Sequence, residues 1–168
     1  SIVIVGGGAT GIEVAGILSE MKKFVLPNDY PDMSSSLMHI YLIEAGPRLL
    51  AGMSEESSAH AEQFLREMGV NILLNKRVVD YRDHKVVLED GTEIATRTFI
   101  WVSGVTGVTI GNLDASLIGR GGRIKVDSFN RVEGMNNVFA IGDQCIQLAD
   151  ENYPNGHPQL AQVAIRSE

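Results

Sequence analysis

Ser1-Ile2-Val3-Ile4-Val5-Gly6-Gly7-Gly8-Ala9-Thr10-Gly11 opens the chain: four β-branched residues run straight into a G-x-G-x-x-G spacing, and a helical pattern follows. Strand, glycine turn and helix in that order are the fingerprint of a dinucleotide-binding turn. Gly6 allows the tight turn, Gly8 lets the backbone approach a pyrophosphate, and Gly11 lets the helix pack close to the strand. The unpaired N–H groups at the helix start, with the helix dipole, attract phosphate. A glycine-rich turn without a ligand is the alternative; the strand before it and the helix after it favour nucleotide binding.

Outward from this turn, Thr10 to about Lys23 reads as a helix whose apolar face carries Ile12, Val14, Ala15, Ile17, Leu18 and Met21. Phe24–Met38 holds two prolines, two aspartates, an asparagine and three serines and reads as a surface insertion. A second strand runs through His39–Ile43 and ends at Glu44. Ser54 is an expected N-cap, with Glu55 and Glu56 in the first turn of a helix that buries Phe64, Leu65 and Met68 and stops near Gly69. Val70–Leu74 is a third parallel strand. Val78–Arg82, Lys85–Leu88, Glu93–Ala95 and Phe99–Val102 are short strands of a β-meander, with a turn at Asp90-Gly91. The expected class is α/β: a Rossmann-like three-layer fold with a parallel βαβαβ sheet and a β-meander, followed by a partial strip of a second domain.

After Gly104 the character changes. Val105–Gly111 is a loop, Arg123–Val126 and Val138–Ile141 are expected strands, and Pro158–Arg166 begins a helix. The final roughly 50 residues are too few and too polar to build a core of their own. We therefore expect a first domain over 1–114 and an incomplete portion of a second over 115–168, with the tail poorly ordered or paired with another copy. The strand already under way at Ile2 suggests a segment of a longer protein.

Composition narrows the function. The chain has 168 residues, 44% hydrophobic and 21% charged, which is ordinary for a globular α/β protein. A net charge of −7 and the absence of a Lys/Arg cluster argue against nucleic acid as partner. The single cysteine, Cys145, excludes an internal disulfide framework and a C-x-x-C redox pair, and reads as a small buried hydrophobe. No apolar run reaches the length of a membrane span and no signal peptide is visible, which fits a cytoplasmic setting. His39, His60 and His84 lack ligand spacing, so no metal is expected.

Four places carry candidate chemistry. Glu44, at the end of the second strand, suits the adenosine ribose hydroxyls and would repel a 2′-phosphate; a solvated strand-end carboxylate is the alternative. It lies 33 residues after Gly11, against the usual spacing of about 20, and the insertion accounts for the excess. Arg48, four residues on, would instead favour a 2′-phosphate, so NADPH stays open. Glu13 is expected in the first helical turn, either as a carboxylate stabilised by the helix dipole or as a contact to the nicotinamide end of the cofactor. Gly142-Asp143, after an apolar strand, is either a plain turn or a carboxylate reaching a ligand hydroxyl. His157-Pro-Gln-Leu-Ala-Gln162 is either surface polarity or the lining of a polar site.

Together these residues resemble the two-dinucleotide flavoprotein reductases, the FAD-dependent pyridine nucleotide-disulfide oxidoreductase superfamily. The matching stretches are Gly6–Gly11 with Glu13, Tyr41-Leu-Ile-Glu44, Gly46-Pro-Arg-Leu-Leu50, Met68-Gly-Val70, Leu88-Glu-Asp-Gly91, Ile100-Trp-Val-Ser-Gly104 and Val138-Phe-Ala-Ile-Gly-Asp143. Within that superfamily the chain is most similar to type II NADH dehydrogenase, the single-subunit NADH:quinone oxidoreductase. Tyr30-Pro31 and Tyr153-Pro…His157-Pro-Gln-Leu-Ala-Gln-Val-Ala164 single it out. The resemblance implies that Gly6, Gly8, Ala9, Thr10, Gly11, Glu44, Ser103 and Gly104 hold NADH. It implies that Glu13 lies at the nicotinamide–flavin face as the catalytic position, and that Gly142 and Asp143 hold FAD. Ala161 and Gln162 would lie beside the flavin and the quinone. Arg166 departs from the family pattern, which commonly has a second Gln there. The resemblance further implies a parent that is a peripheral protein on the cytoplasmic face of a membrane and reaches quinone and membrane through a C-terminal part; whether it forms a homodimer is left open. A ferredoxin or rubredoxin reductase-like enzyme and a non-catalytic NAD-binding module are the alternative functions.

Overall fold

A computed structural model describes all residues except Met33, Thr109, Pro158, Leu160, Ser167 and Glu168. The chain divides into two compact units, Ser1–Gly104 and Val105–Glu168. The division precedes the expected boundary at 114/115, because the loop after Gly104 is tied into the second unit: Gly107 N donates to Gly121 O at 2.7 Å, and the Gln144 amide pairs with both backbone groups of Val108.

In the first unit, β1 (Ile2–Val5), β2 (Ile40–Ile43), β3 (Val70–Leu73) and β7 (Thr98–Trp101) form one parallel sheet in the order β3-β2-β1-β7. Both faces must be covered in such a sheet, and the side-chain alternation of each strand divides the work. Ile4, Ile40, Leu42, Val70 and Ile72 face α1 (Ala9–Glu20) and α3 (Glu55–Glu67), packing on Ala15 and Leu65. Val3, Val5 and Ile43 face the opposite way, onto Val86 and Leu88 of an antiparallel meander, β4 (Val78–Arg82), β5 (Lys85–Leu88) and β6 (Glu93–Ala95). This is the expected three-layer arrangement with one correction: the fourth short strand does not extend the meander but returns to pair in parallel with β1, from Ile2↔Thr98 to Val5↔Trp101. Buried Thr96 makes the return, with its hydroxyl 2.7 Å from Ser1 O and 2.9 Å from Thr98 O and accepting from Thr98 N–H.

α3 begins where the sequence indicates, whereas α1 starts at Ala9, one residue before the expected Thr10. Ser54 caps α3, its hydroxyl accepting from Ser57 N. Leu65 is buried as expected, but Phe64 is exposed, because it points away from the sheet-facing stripe. Ile17 and Met21, assigned to the buried face of α1, are likewise exposed; Gly11, Ala15 and Ser19 form the buried one. The Phe24–Met38 insertion is partly helical: α1 runs into a π-turn over Met21–Val25 and then α2 (Leu26–Asp29), followed by a 3₁₀ turn at Ser35–Leu37.

In the second unit, β8 (Ile124–Val126) and β9 (Cys145–Gln147) pair in parallel. Val138–Ile141, expected as a strand, contributes an isolated bridge between Phe139 and Arg131, whereas Cys145–Gln147, unremarked in the sequence, is the strand. The tail does have an apolar cluster, contrary to expectation: Ile124, Val126, Val132, Ala140 and Cys145 are buried together, with Leu113, Leu117, Ile118 and Met135 against them. The glycine-rich backbone lets short segments approach closely enough to bury what few apolar residues there are. The chain's last helix, α4, spans Ala161–Arg166. Among the described residues no helix is long and apolar enough to cross a membrane.

Candidate functional site

The glycine-rich turn sits at the C-terminal end of β1, flanked by β2 and β7. The chain steps from β1 to β2 and β3 on one side and returns to β7 on the other, so the turn lies at the point where strand order reverses, the usual ligand crevice of an open α/β sheet. Gly6 N donates to Ile43 O at 2.9 Å and Val102 N to Val5 O at 2.8 Å, extending the ladders to the rim of the crevice.

Internal packing accounts for two of the fingerprint glycines and not for the third. Gly6 has a φ of +118°, and a Cβ there would lie 2.7 Å from Val102 O. A Cβ at Gly11 would lie 1.9 Å from Gly6 O, so helix and strand touch backbone to backbone. A Cβ at Gly8 would meet no protein atom within 4 Å. Gly8 is also the N-cap of α1, with no side chain capping the first turn. The exposed start of the helix at Gly8, Ala9 and Thr10 therefore presents N–H groups and a positive dipole end to the space that the missing side chain leaves open.

Glu13 is exposed and is the fifth residue of α1, not part of its first turn as expected. The dipole field falls off within that turn, so the carboxylate owes less to it than the sequence reading supposed. Ser103 and Gly104 leave the end of β7, with Ser103 Oγ donating to Val5 O at 3.0 Å and Gly104 at a φ of +97°. Glu44 is half-buried and is not simply solvated: Oε2 accepts from Gly7 N at 2.6 Å and Oε1 from Gly46 N at 2.7 Å. Arg48 points its guanidinium into its own loop, donating to Ala51 O at 2.9 Å and Met53 O at 3.0 Å. These two bonds keep its guanidinium within that loop.

A second concavity, of about 420 Å³, lies within the C-terminal unit and is lined by Arg123, Gly142, Asp143, Cys145, Tyr153 and His157 among others. Gly142 turns the chain with a φ of +67° into a 3₁₀ turn over Gly142–Gln144, leaving Asp143 exposed at the rim. Gln159 Nε2 donates to Asp143 O at 3.1 Å. Elsewhere around the concavity, Arg123 Nη1 donates to His157 O at 3.1 Å, His157 Nε2 lies 3.3 Å from Asp150 Oδ2, and the Tyr153 and His157 rings sit 4.4 Å apart. Burial pushes the Cys145 thiol above its ordinary range, against the opposing charge of Arg123. Ala161 and Gln162 lie on α4 by their backbone; their side chains fall outside the described ones. Among the described residues no group of His, Cys, Asp or Glu could hold a metal ion.

The sequence reading gave no individual role to Gly7, Gly46 and Leu49 around Glu44 or to Tyr153 in the second concavity, although all four lie in the family stretches, and it assigned none to Arg123 or Asp150. The middle one of the three consecutive glycines, Gly7, unrequired by the fingerprint, was a usable signal; Arg123 had none.

The sequence pattern of the pyridine nucleotide-disulphide oxidoreductases matches residues 1–167. The chain belongs to that family. Among the relatives of this pyridine nucleotide-disulphide oxidoreductase, the type II NADH:quinone oxidoreductase of Haemophilus influenzae is 33% identical over 153 residues, covering 90% of the chain and 34% of the relative. The type II NADH:quinone oxidoreductase NdhA of Mycobacterium tuberculosis is 31% identical, covering 99% of the chain and 36% of the relative. In structure, NDH2 from Plasmodium falciparum, solved in complex with NADH, superposes with a TM-score of 0.73 at 25% identity over 87% of the chain and 32% of that protein. The chain spans about a third of the length of these relatives.

Proposed function

We propose that this chain is the NADH-binding part, with a portion of the FAD-binding part, of a flavoprotein that oxidises NADH and delivers the electrons to a quinone. The observation that carries the reading is Gly8. Nothing inside the protein requires a glycine there, while the uncapped helix start beside it offers N–H groups to an anion. A pyrophosphate is the group that needs both. The likeness to type II NADH:quinone oxidoreductases along nearly the whole chain supports the choice of dinucleotide and acceptor.

In this reading Gly8, Ala9, Thr10 and Gly11 bind the pyrophosphate, while Gly6 shapes the turn. Glu44 keeps a free lone pair on each oxygen after its two backbone bonds, enough to accept from the adenosine ribose hydroxyls. With Arg48 turned into its own loop, no cation on that loop offsets the repulsion between Glu44 and a 2′-phosphate, which favours NADH over NADPH. Ser103 and Gly104 close the other side of the crevice, and Glu13, exposed on α1, is assigned to the nicotinamide end.

The C-terminal unit fits the sugar-alcohol chain of FAD: Gly142 and Asp143 put a backbone turn and an exposed carboxylate at a concavity of about 420 Å³. When bound, the flavin supplies the two-electron acceptor for the hydride of NADH. Asp143 holds and orients a polyol there, and the Arg123–His157 hydrogen bond ties two other residues of the lining together. Ala161 and Gln162 are assigned to the flavin and quinone side. Membrane surface and a second copy are partners of the parent, which works as a peripheral protein on the cytoplasmic face.

Calorimetric titration of the chain with NADH, NADPH and FAD tests the reading. NADH binding, with NADPH weaker, is expected. Failure to bind any dinucleotide overturns it, and NADPH binding as tight as NADH overturns the roles of Glu44 and Arg48.

A further inference from the structure

Gly7 is the glycine of the turn on which the fingerprint makes no demand, yet the loop between β2 and α3 grips it on three sides. Its N–H donates to Glu44 Oε2 at 2.6 Å, and its carbonyl accepts from Leu50 N at 2.8 Å. A Cβ at Gly7 would lie 2.7 Å from Leu49 Cδ2 and 3.0 Å from Glu44 Cβ. The gripping loop is itself fastened. Glu44 Oε1 holds Gly46 N, Arg48 holds Ala51 O and Met53 O, and Ser58 Oγ of α3 donates to Leu49 O at 2.6 Å. From beyond β3, Asn75 N donates to Gly46 O and Lys76 N to Glu44 O.

Three consecutive glycines leave the turn many conformations, so its shape has to be imposed from outside. The short, charge-assisted bond from Glu44 is the strongest contact that reaches it. We propose that Glu44 is a positioning residue. By holding the Gly7 amide, its carboxylate sets the direction of the N–H groups that follow, and so the affinity of the turn for any diphosphate ligand, including one with no hydroxyl for Glu44 to meet. The proposal rests on the dinucleotide reading of the turn and goes beyond it, since that reading makes Glu44 a ligand of the ribose.

The two roles separate with two probes, NADH and its analogue carrying 2′,3′-dideoxyadenosine, titrated calorimetrically into the wild-type chain, Glu44→Ala and Glu44→Gln. A ribose ligand alone predicts that Glu44→Ala weakens NADH and leaves the analogue unchanged. A positioning role predicts that both weaken by about tenfold, the consequence of losing one charge-assisted hydrogen bond. Glu44→Gln, which keeps one acceptor oxygen and the side-chain volume, falls between. Hydrogen exchange without ligand gives an independent readout: Glu44→Ala speeds the Gly7 amide by about tenfold and leaves the Leu42 amide of β2 unchanged. Loss confined to NADH, with Gly7 exchange unaltered, overturns the proposal. If the wild-type chain binds neither probe, the dinucleotide reading falls and the proposal with it.

Discussion

Gly8→Ala and Gly11→Ala add the same methyl group three residues apart, and the structure assigns them opposite effects. At Gly11 the new carbon would lie 1.9 Å from Gly6 O, 3.1 Å from Gly6 C and 3.4 Å from Leu42 Cδ1. Non-bonded heavy atoms rest at roughly 3.5 Å, so α1 has to retreat by more than an ångström from β1 and lift Ala15 out of the core. Overpacking costs up to about 3 kcal/mol when side chains can adjust. Alanine returns about 1 kcal/mol of helix propensity. Because the obstacle is backbone, a net loss of about 2 kcal/mol is a floor, or roughly 8–16 °C in the midpoint of a domain this size. At Gly8 the backbone, with φ −78° and ψ −177°, suits alanine, and no atom lies within 4 Å. The fold should lose less than about 1 kcal/mol, while the methyl fills the space proposed for the pyrophosphate and NADH affinity drops by more than about tenfold, or 1.4 kcal/mol. Thermal melts paired with NADH titration measure both quantities. A Gly8→Ala chain that melts as low as Gly11→Ala, or that binds NADH like the wild type, would refute the assignment of Gly8 to a ligand.

Thr96→Val should cost about 1–3 kcal/mol in urea denaturation, because it leaves the Thr98 N–H and the Ser1 carbonyl without the buried hydroxyl that serves both. Acid should weaken both units. Asp90 is held well below the ordinary carboxylate range by Lys76 and then Thr92 N–H, Asp127 is lowered by Arg131 and Phe129 N–H, and Asp114 by Ser116 N–H. Groups with depressed folded pKa values stabilise fully above the unfolded value, near 3.9, and lose that contribution as pH falls through the folded one. Circular dichroism should therefore show stability declining below about pH 4. The exposed Lys85–Glu93 pair adds to this decline, and high salt should blunt its share. A flat profile from pH 5 to 2 would contradict the role of these bonds.

Where local pattern and tertiary demand coincide, the sequence was enough to read the fold. Ile2–Val5 ends in glycines that no other structure would want, and Ser54 with two glutamates after it can hardly start anything but a helix. The failures share a cause, which is that partners distant in sequence leave no local trace. Phe99 looks the same beside β6 as beside β1, and only the register Val3↔Phe99 separates a meander strand from a parallel one. Val138–Ile141 is more strand-like than Cys145–Gln147, yet β8 pairs with the latter. In the candidate site, the position of Glu44 and the glycines at the strand ends was legible. The bond from Glu44 to Gly7, across 37 residues, and the inward turn of Arg48 were not, because both depend on how one loop folds over another.

The place of β1 inside its sheet has a consequence for how the molecule is made. Its partners are β2, complete at Ile43, and β7, complete only at Trp101. At a synthesis rate of about 5–20 residues per second, roughly 3–12 s separate the two. Throughout that interval one side of Ile2–Val5 offers an unpaired row of backbone groups, the arrangement that recruits strands from other chains. Within this sheet, the strand made earliest is thus among the last to be paired on both sides. A nascent chain halted near Leu74 would already possess its glycine turn and still be a template for aggregation, so this sheet stays exposed until the passage from residue 74 to residue 101 is complete.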